Sequence, residues 1–175
     1  MNELSIEEAM ITDAAGIYEV MQDTGFAAKF IGDVKLLAAY EHIIAQFLVK
    51  PIRTFIATIP ANRLGNKRVV GYSIIAPAWK QTLSLPAQFQ REGYAYSKGV
   101  GVLNEFKRKK VGESLAIFTA NEAQNEGYHG IYTDAASDNA ASIAFQIQLG
   151  MKEIARVPDK KRPSGILSVW FVKNF

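Results

Sequence analysis

The chain has 175 residues, of which 49% are hydrophobic and 21% are charged. This length and composition predict a single globular domain over residues 1–175 with a substantial core. The chain contains no cysteine, which excludes disulfides, thiolate metal sites and a cysteine nucleophile. Its two histidines exclude a histidine-rich metal centre, so we expect no metal site.

The net charge of +3 and the pI near 9.0 favour anionic ligands slightly and do not by themselves indicate nucleic acid. The N-terminal segment MNELSIEEAM is acidic and lacks the basic and apolar parts of a secretion signal. No apolar run approaches the roughly 20 residues that span a bilayer. We therefore expect a cytoplasmic protein with no membrane partner.

The first half of the chain predicts three strands and two helices. The first helix follows Thr12, and Ala14, Ile17, Tyr18 and Met21 form its apolar face. The second helix presents a stripe of Leu37, Tyr40, Ile44, Phe47 and Leu48. In chain order the elements are a strand at Leu4–Met10, these two helices with the second at Val34–Val49, and strands at Arg53–Ile59 and Arg68–Ala76.

The second half alternates strands with helices. A helix reaching Asn125 carries Val111, Leu115 and Phe118 on one face, and a later helix, capped by Ser137 or Asp138, is expected to be covered on two sides. The long connection that contains Trp79 and Phe89 reads as an apolar flap or a functional loop. The predicted strands are Tyr94–Leu103, Gly130–Asp134, Lys152–Val157 and Ile166–Val172.

This order of elements predicts an α/β fold. Hairpins in the first half and alternation in the second imply a mixed sheet of about seven strands with helices on both faces.

The stretch Gly101–Asn125 carries the clearest functional signal. A strand ends, the basic run Lys107–Lys110 follows, and Gly112 lies at the start of a helix. The first turn of a helix has unpaired N–H groups and the positive end of the dipole, so it attracts phosphate. The run also fits a solvated surface patch or a nucleic-acid patch, and the strand and helix around it favour phosphate binding.

The same stretch resembles the acetyl-CoA-binding motif of the GNAT superfamily of N-acyltransferases. That motif is a strand ending in Val, a loop Arg/Gln-x-x-Gly-x-Gly/Ala, and a helix. Val102 matches the strand end, Lys107 the Arg/Gln position and Gly112 the last Gly/Ala. Lys110 replaces the family's first Gly, so it offers charge to a phosphate in place of a close backbone approach.

A second segment, Asn139–Met151, resembles the family's Asn-x-x-Ala-x-x-x-Tyr-x-x-x-Gly-Phe pattern. Asn139 and Gly150 match, and Ser142 and Met151 are mild departures. Gln146 stands where the family commonly has a tyrosine that acts as general acid. The resemblance implies a sheet split after the fourth strand, between Tyr94–Leu103 and Gly130–Asp134.

The resemblance also implies acetyl-CoA as co-substrate. A backbone N–H near Val102 or Leu103 would polarise the thioester carbonyl. Asn139 would contact the cofactor arm, and helix capping is its alternative role. The predicted cofactor-binding residues are Val102, Leu103, Lys107, Arg108, Lys109, Lys110, Val111, Gly112, Glu113, Asn139 and Ser142.

The predicted catalytic residues are Gln146 and Tyr132. An amide can hydrogen-bond a thiolate and is too weak an acid to protonate it, so Tyr132, Tyr94 or Tyr96 would have to supply a proton unless they are packed strand aromatics. Asp134 could bind a substrate amine or cap a turn. By analogy the acceptor region lies near Asp33 and Glu41.

These observations predict an N-acetyltransferase that moves the acetyl group of acetyl-CoA to an amine by direct attack. The acceptor is a small molecule or a peptide, and the sequence does not choose between them. The alternative is a non-catalytic acyl-CoA-binding or sensing module, and nucleic-acid binding through Lys107–Lys110 is a weaker rival, so no nucleic-acid partner is expected. A homodimer is possible, with the Trp79 loop as one candidate interface.

Overall fold

The computed structural model describes residues 3–26, 36–61, 66–78, 86–158 and 165–175. Two predicted features, the Trp79 interface and the Asp33 part of the acceptor region, lie outside these residues.

The predicted strands and helices are confirmed, with shifted ends. The strands are β1 Ser5–Glu8, β2 Arg53–Pro60, β3 Lys67–Pro77, β4 Tyr94–Val102, β5 Gly130–Ala136, β6 Lys152–Pro158 and β7 Leu167–Asn174. The helices of the described residues are α1 Ala14–Asp23, α2 Leu36–Phe47, α3 Val111–Asn125 and α4 Ala140–Gln148. Short 3-10 turns lie at Ile11–Asp13, Ala87–Phe89 and Asn104–Phe106.

The described strands form a seven-stranded sheet in the order β1-β2-β3-β4-β5-β7-β6. β4 and β5 run parallel, whereas β1 with β2, β2 with β3, β5 with β7 and β6 with β7 are antiparallel. The predicted mixed sheet is therefore confirmed. The parallel ladder pairs only Tyr94–Tyr96 with Gly130–Tyr132, so it ends where the sequence predicts the split.

The chain divides into two compact units. The first contains Met1–Ile75 and Gly99–Thr119, and the second contains Ala76–Lys98 and Ala120–Phe175. The single domain over residues 1–175 stays a prediction.

In the first unit, helices cover both faces of β3. Thr24, at the end of α1, hydrogen-bonds Tyr72, whereas Thr119 of α3 donates to Ser73 Oγ at 2.9 Å. Neighbouring residues of a strand point to opposite faces, so α1 and α3 lie on opposite sides of β3.

The buried faces of α1 and α3 follow the predicted spacing, and that of α2 is rotated. Val111 and Leu115 of α3 are buried and Phe118 is half-buried, and the four predicted residues of α1 are buried. Among the described side chains of α2, those of Ala39, Ile43 and Phe47 are buried, whereas Tyr40 and Ile44 are half-buried; Leu37 of the predicted stripe lies outside them. The predicted stripe therefore missed Ala39 and Ile43, since it was placed one position away on the helix surface.

In the second unit, aromatic side chains form a cluster with Phe89 at its centre. The Phe89 ring lies 4.9 Å from Trp170 and 5.8 Å from Tyr132, between ring centroids. Phe89 follows a part of the long connection that is not described. Its side chain is buried, whereas Ala87, Gln88 and Gln90 are exposed, so Phe89 anchors this end of the connection to the aromatic cluster.

The prediction that α4 is covered on two sides is wrong. None of its residues is buried, and Ile147 is 57% exposed. The spacing of its apolar residues points them in several directions, but the helix lies on the surface with only one side partly covered.

Candidate active site

The basic loop Lys107–Lys110 lies between β4 and α3, and all four side chains are exposed. The Lys109 ammonium nitrogen sits 5.0 Å from the centroid of the Phe106 ring. None of the four cations forms an ion pair with another described residue. Their charge is therefore available to an anionic ligand.

The loop ends at the N-terminus of α3, where backbone N–H groups lack partners. Ser114 N donates to Lys110 O at 2.9 Å, so Lys110 is the last residue before the helix. Among the described residues nothing accepts a hydrogen bond from the N–H groups of Val111, Gly112 or Glu113. These donors and the helix dipole form the positive end that phosphate prefers.

The backbone of the loop adopts left-handed conformations at two positions. Lys110 has φ 63° and Arg108 has φ 61°. Lys110 occupies the position of the first glycine in the GNAT motif. The left-handed φ explains why the motif has glycine there, since glycine adopts this conformation without strain. A non-glycine residue there costs about 1 kcal/mol. A left-handed residue directly before helical residues is also the backbone pattern of anion-binding nests.

The start of α3 packs closely on the sheet at Gly71. A Cβ atom at Gly71 would lie 2.9 Å from both Gly101 O and Leu115 Cδ1. Gly101 is equally constrained, because a Cβ there would collide with the Tyr72 ring. The two glycines therefore let the strand end and the first turns of α3 approach the sheet, which sets the position of the basic loop.

Asp23 holds the loop from the end of α1. Its Oδ2 accepts from Asn104 N at 2.5 Å, its Oδ1 from Asn104 Nδ2 at 2.9 Å, and its carbonyl oxygen from the same Nδ2 at 3.1 Å. Sequence reasoning missed this contact. The two residues are 81 positions apart, and nothing in their local sequence links them.

Arg68 forms a second clamp between the same regions. Its Nη2 lies 2.9 Å from Glu19 Oε1 of α1, and its Nη1 lies 2.9 Å from Glu105 Oε1 beside the loop. The hydrogen bond that Arg68 donates to Glu19 is the main reason why the pKa of Arg68 lies above its usual value. The residues lining a cleft here of about 560 Å³ are Glu19, Gln22, Asp23, Arg68, Leu103, Asn104 and Glu105.

The hydrogen bonding at the end of β4 distinguishes the two backbone N–H groups predicted to polarise the thioester carbonyl, those of Val102 and Leu103. Leu103 is 3% exposed, and its N–H donates to Val70 O at 3.0 Å. This bond occupies the Leu103 donor, so the half-buried Val102 stays the candidate for the predicted role.

The second unit holds the other predicted contacts on α4. Asn139 caps this helix, because its Oδ1 accepts from Ser142 N at 3.0 Å. The cap is thus Asn139 and not Ser137 or Asp138, and the Ser137 Oγ instead accepts from Leu167 N at 3.0 Å. The capping role predicted for Asn139 is confirmed, and its Nδ2 forms no hydrogen bond with the described residues.

Gln146 and Tyr132, the two predicted catalytic residues, lie in the second unit in different settings. Gln146 is half-buried on α4, and its side chain forms no hydrogen bond with the described residues. The Tyr132 ring is stacked on Tyr94, with centroids 5.0 Å apart, and is 6% exposed. The structure therefore records Tyr132 as a packed strand aromatic.

The other candidate tyrosines also have partners. Tyr94 Oη donates to Asn174 Oδ1 at 3.0 Å, and Tyr96 Oη donates to Asp134 Oδ1 at 2.7 Å. Asp134 is thus held by a tyrosine that lies 38 residues before it.

Within the described residues no group of histidine, aspartate and glutamate side chains is arranged to hold a metal ion. The described helices are also all too short or too polar to cross a membrane.

Comparison of the sequence with protein-family models identifies a known family. The sequence matches the family model described as the acetyltransferase (GNAT) family over residues 17–151. No curated protein sequence matches the chain.

Solved structures share the fold over nearly the whole chain. A GCN5-related N-acetyltransferase from Kribbella flavida has a TM-score of 0.73 at 16% identity, covering 98% of each chain. YncA from Salmonella typhimurium, solved with its cofactor acetyl-CoA, has a TM-score of 0.70 at 19% identity, covering 99% of this chain and 94% of its own. A ribosomal-protein-alanine N-acetyltransferase from Brucella melitensis has a TM-score of 0.69 at 19% identity, covering 98% of this chain and 99% of its own.

The family match spans the basic loop and α4, and the sheet order agrees with that of the family. The chain therefore belongs to the GNAT acetyltransferase family, and the protein is an acyltransferase.

Proposed function

We propose that the protein transfers the acetyl group of acetyl-CoA to the nitrogen of an amine by direct attack, with Lys107–Glu113 binding the pyrophosphate. The observation that carries this proposal is the start of α3. At one exposed loop, the first N–H groups of α3 and the four cations have no partner among the described residues, and Lys110 has a left-handed backbone. Each of these features favours an anion.

The chemical step has few requirements. A neutral amine attacks the thioester carbonyl carbon, a C–N bond forms, and negative charge develops on the carbonyl oxygen. The C–S bond then breaks, and the proton lost by the amine nitrogen ends on the CoA thiolate. The N–H of Val102 is the proposed donor to the developing oxyanion.

The departing thiolate does not need a strong acid in this protein. A thiol has a pKa of about 8.5, so the thiolate leaves without a strong acid, and the proton lost by the amine nitrogen reaches it through water near neutral pH. Gln146 would stabilise the thiolate with an amide hydrogen bond, and Asn139 Nδ2 and the Ser142 region remain the predicted contacts of the cofactor arm.

The first test measures acetyl-CoA binding by calorimetry in the wild type and in a Lys107→Ala, Lys109→Ala, Lys110→Ala variant. We expect saturable binding that weakens about a hundredfold in the variant, since each of the three exposed charged contacts contributes on the order of 1 kcal/mol. A Lys50→Ala, Lys152→Ala variant removes exposed cations elsewhere and should bind as the wild type does.

Acetyl-pantetheine tests whether the loop binds the pyrophosphate, because this ligand carries the thioester without the pyrophosphate. The wild type should prefer acetyl-CoA, and the triple variant should lose that preference. Failure of a folded wild type to bind acetyl-CoA would refute the proposal.

Transfer itself is measured as CoA release with a thiol-reactive dye in the presence of primary amines. The protein has no cysteine, so every thiol detected is CoA. Tight acetyl-CoA binding with no release for any amine would instead indicate an acyl-CoA-binding module without catalysis.

A further inference from the structure

Arg68, at the start of β3, joins two carboxylates of the first unit. Its Nη2 lies 2.9 Å from Glu19 Oε1 on α1, and its Nη1 lies 2.9 Å from Glu105 Oε1 in the turn Asn104–Phe106. Because the two carboxylates contact different nitrogen atoms, one guanidinium pairs with both at once. This arrangement of Glu19, Arg68 and Glu105 is the Arg68 bridge.

Glu105 belongs to the segment that leads into the basic loop. It precedes Lys107 by two residues and is the only acidic residue between Val102 and Gly112. Its side chain is 58% exposed, yet among the described residues it pairs with Arg68 and with none of the four loop cations. The bridge thus directs this carboxylate to β3, although four cations follow it closely along the chain.

A Glu105 carboxylate without Arg68 would change the charge of the loop. It would pair with one of the cations of Lys107–Lys110 or repel a phosphate bound beside them. Segment 105–110 carries four cations and this one anion, so either event offsets one of the four positive charges. Pairing with Arg68 prevents both events.

The turn before the loop has another anchor. Asn104 donates from its backbone N–H and from Nδ2 to the carboxylate of Asp23 at the end of α1. These hydrogen bonds involve neither Arg68 nor Glu105, so the turn stays attached to α1 when the bridge is broken. Exposed ion pairs also contribute little to stability. Loss of the bridge should therefore release the Glu105 side chain and leave the backbone of the turn in place.

We infer that Arg68 is a positioning residue of the cofactor site: it holds the Glu105 carboxylate away from Lys107–Lys110, so that the loop presents its full positive charge to the phosphates of acetyl-CoA. This inference rests on the proposed function for the identity of the ligand. Arg68 lies on β3, outside the loop, and acts on the site through Glu105. It contributes to cofactor affinity and takes no part in the chemical step.

The test measures acetyl-CoA binding by calorimetry in the wild type and in Arg68→Ala. We expect the variant to bind acetyl-CoA about fivefold more weakly, because an unpaired carboxylate offsets part of the attraction for phosphate. Acetyl-pantetheine, which lacks the pyrophosphate, should bind both proteins equally. Arg156→Ala removes an exposed arginine that pairs with Glu153 in the second unit, and it should bind acetyl-CoA as the wild type does.

Removal of the Glu105 charge distinguishes this role from a purely structural one. Glu105→Gln should bind acetyl-CoA at least as tightly as the wild type, and an Arg68→Ala, Glu105→Gln variant should recover that affinity. A structural defect at Arg68 would persist in the double variant. Wild-type affinity in Arg68→Ala, or no recovery in the double variant, overturns the inference. If Arg68→Ala does not fold, Arg68→Gln, which keeps a longer side chain, takes its place with the same expected results.

Salt and kinetics provide two further readouts. The difference in affinity between the wild type and Arg68→Ala should shrink in high salt, because exposed charges are screened. In a turnover assay the variant should have a raised KM for acetyl-CoA and an unchanged kcat, since Arg68 is assigned to the pyrophosphate and not to the thioester. A difference that does not depend on salt, or a fall in kcat alone, would contradict the role of Arg68.

The two proposals fail in different ways. Inorganic pyrophosphate, titrated by phosphorus NMR, reports on the loop without the acetyl group. If the wild type binds pyrophosphate and not acetyl-CoA, the acetyltransferase proposal fails, and the Arg68 and Glu105 variants are compared with pyrophosphate. Normal acetyl-CoA binding and turnover in the wild type, with unchanged affinity in Arg68→Ala, refutes only the role of Arg68. A wild type that binds neither ligand refutes both proposals.

Discussion

At the start of α4, the Asn139 side chain accepts a hydrogen bond from Ser142 N at 3.0 Å, whereas at the start of α3 no described side chain accepts one from the first backbone N–H groups. Both helices present the same positive end of a dipole. In α4 a side-chain oxygen of the protein caps this end, whereas in α3 the end lies uncapped beside four exposed cations. The first arrangement stabilises a surface helix, and the second suits a phosphate ligand.

The difference shows that a helix N-terminus becomes a binding site through what surrounds it. α3 packs closely on the sheet at Gly71. The segment before it is fixed by the hydrogen bonds between Asn104 and Asp23. α4 has no buried residue and needs its cap for stability. The following variants test this contrast, from the largest expected effect to the smallest.

Gly71→Ala should displace the start of α3. The added Cβ would lie 2.9 Å from Gly101 O and from Leu115 Cδ1, so the backbone must shift, at a cost of about 2 kcal/mol in the free energy of unfolding. We expect acetyl-CoA affinity to fall as well, and denaturant unfolding with calorimetry measures both.

Gly127→Ala is the control at the other end of α3. Its added Cβ meets nothing within 4 Å, and its φ of +83° costs only backbone strain. Acetyl-CoA affinity should stay unchanged in this variant. If both variants lost affinity equally, the close contact at Gly71 would not be what positions the loop.

Asn139→Ala should lower the free energy of unfolding by about 1 kcal/mol, because it removes the cap of α4. Asn139→Asp keeps the capping oxygen and removes the Nδ2 donor, so its stability should match the wild type. Denaturant unfolding measures stability, and acetyl-CoA titration of the Asp variant shows whether Nδ2 contacts the cofactor. Equal destabilisation by both substitutions would contradict the capping role.

Tyr72, whose ring lies against Gly101 before the basic loop, should make stability depend on alkaline pH. Burial raises the pKa of Tyr72 well above its usual value, and the hydrogen bond with Thr24 acts in the opposite direction. The folded state therefore keeps its proton where the unfolded chain loses it, and stability falls as pH rises above about 10.

The expected loss from this residue is about 0.7 kcal/mol between pH 9.5 and 10.5. Tyr72→Phe cannot ionise and should have a shallower dependence, measured as the free energy of unfolding at the two pH values. The same slope in both proteins would show that Tyr72 titrates normally in the folded state.

Lys110→Gly should raise the free energy of unfolding by about 0.5 kcal/mol. Glycine relieves the left-handed strain at φ 63°, and the larger conformational entropy that it loses on folding offsets part of this gain. Lys110→Ala keeps the strain and removes the same charge, so it serves as the matched control in thermal unfolding and acetyl-CoA titration. Lower stability in the Gly variant than in the Ala variant would contradict the strain.

The positions of the strands and the large helices were predictable from the sequence because alternation and helical spacing are local properties. The basic loop was predictable for the same reason, since Lys107–Gly112 is one continuous segment. The exposure of α4 was not predictable, because its apolar residues are the same whether or not another element covers them.

Contacts between distant residues could not be read from the chain. Asp23 with Asn104 and Tyr96 with Asp134 are ordinary polar residues in their local sequences, and only folding brings each pair together. The occupied N–H of Leu103 belongs to the same class, since its partner Val70 lies on another strand.

The sequence by itself determined the order of elements, the mixed sheet and the segment that can attract phosphate, since each depends on residues that are close along the chain. The tertiary structure decided which donors are occupied and which side chains lie together. Hydrogen bonding and burial depend on partners far away in sequence, so Asn139 became a cap, the Leu103 donor was occupied, and Asp134 was placed beside Trp170.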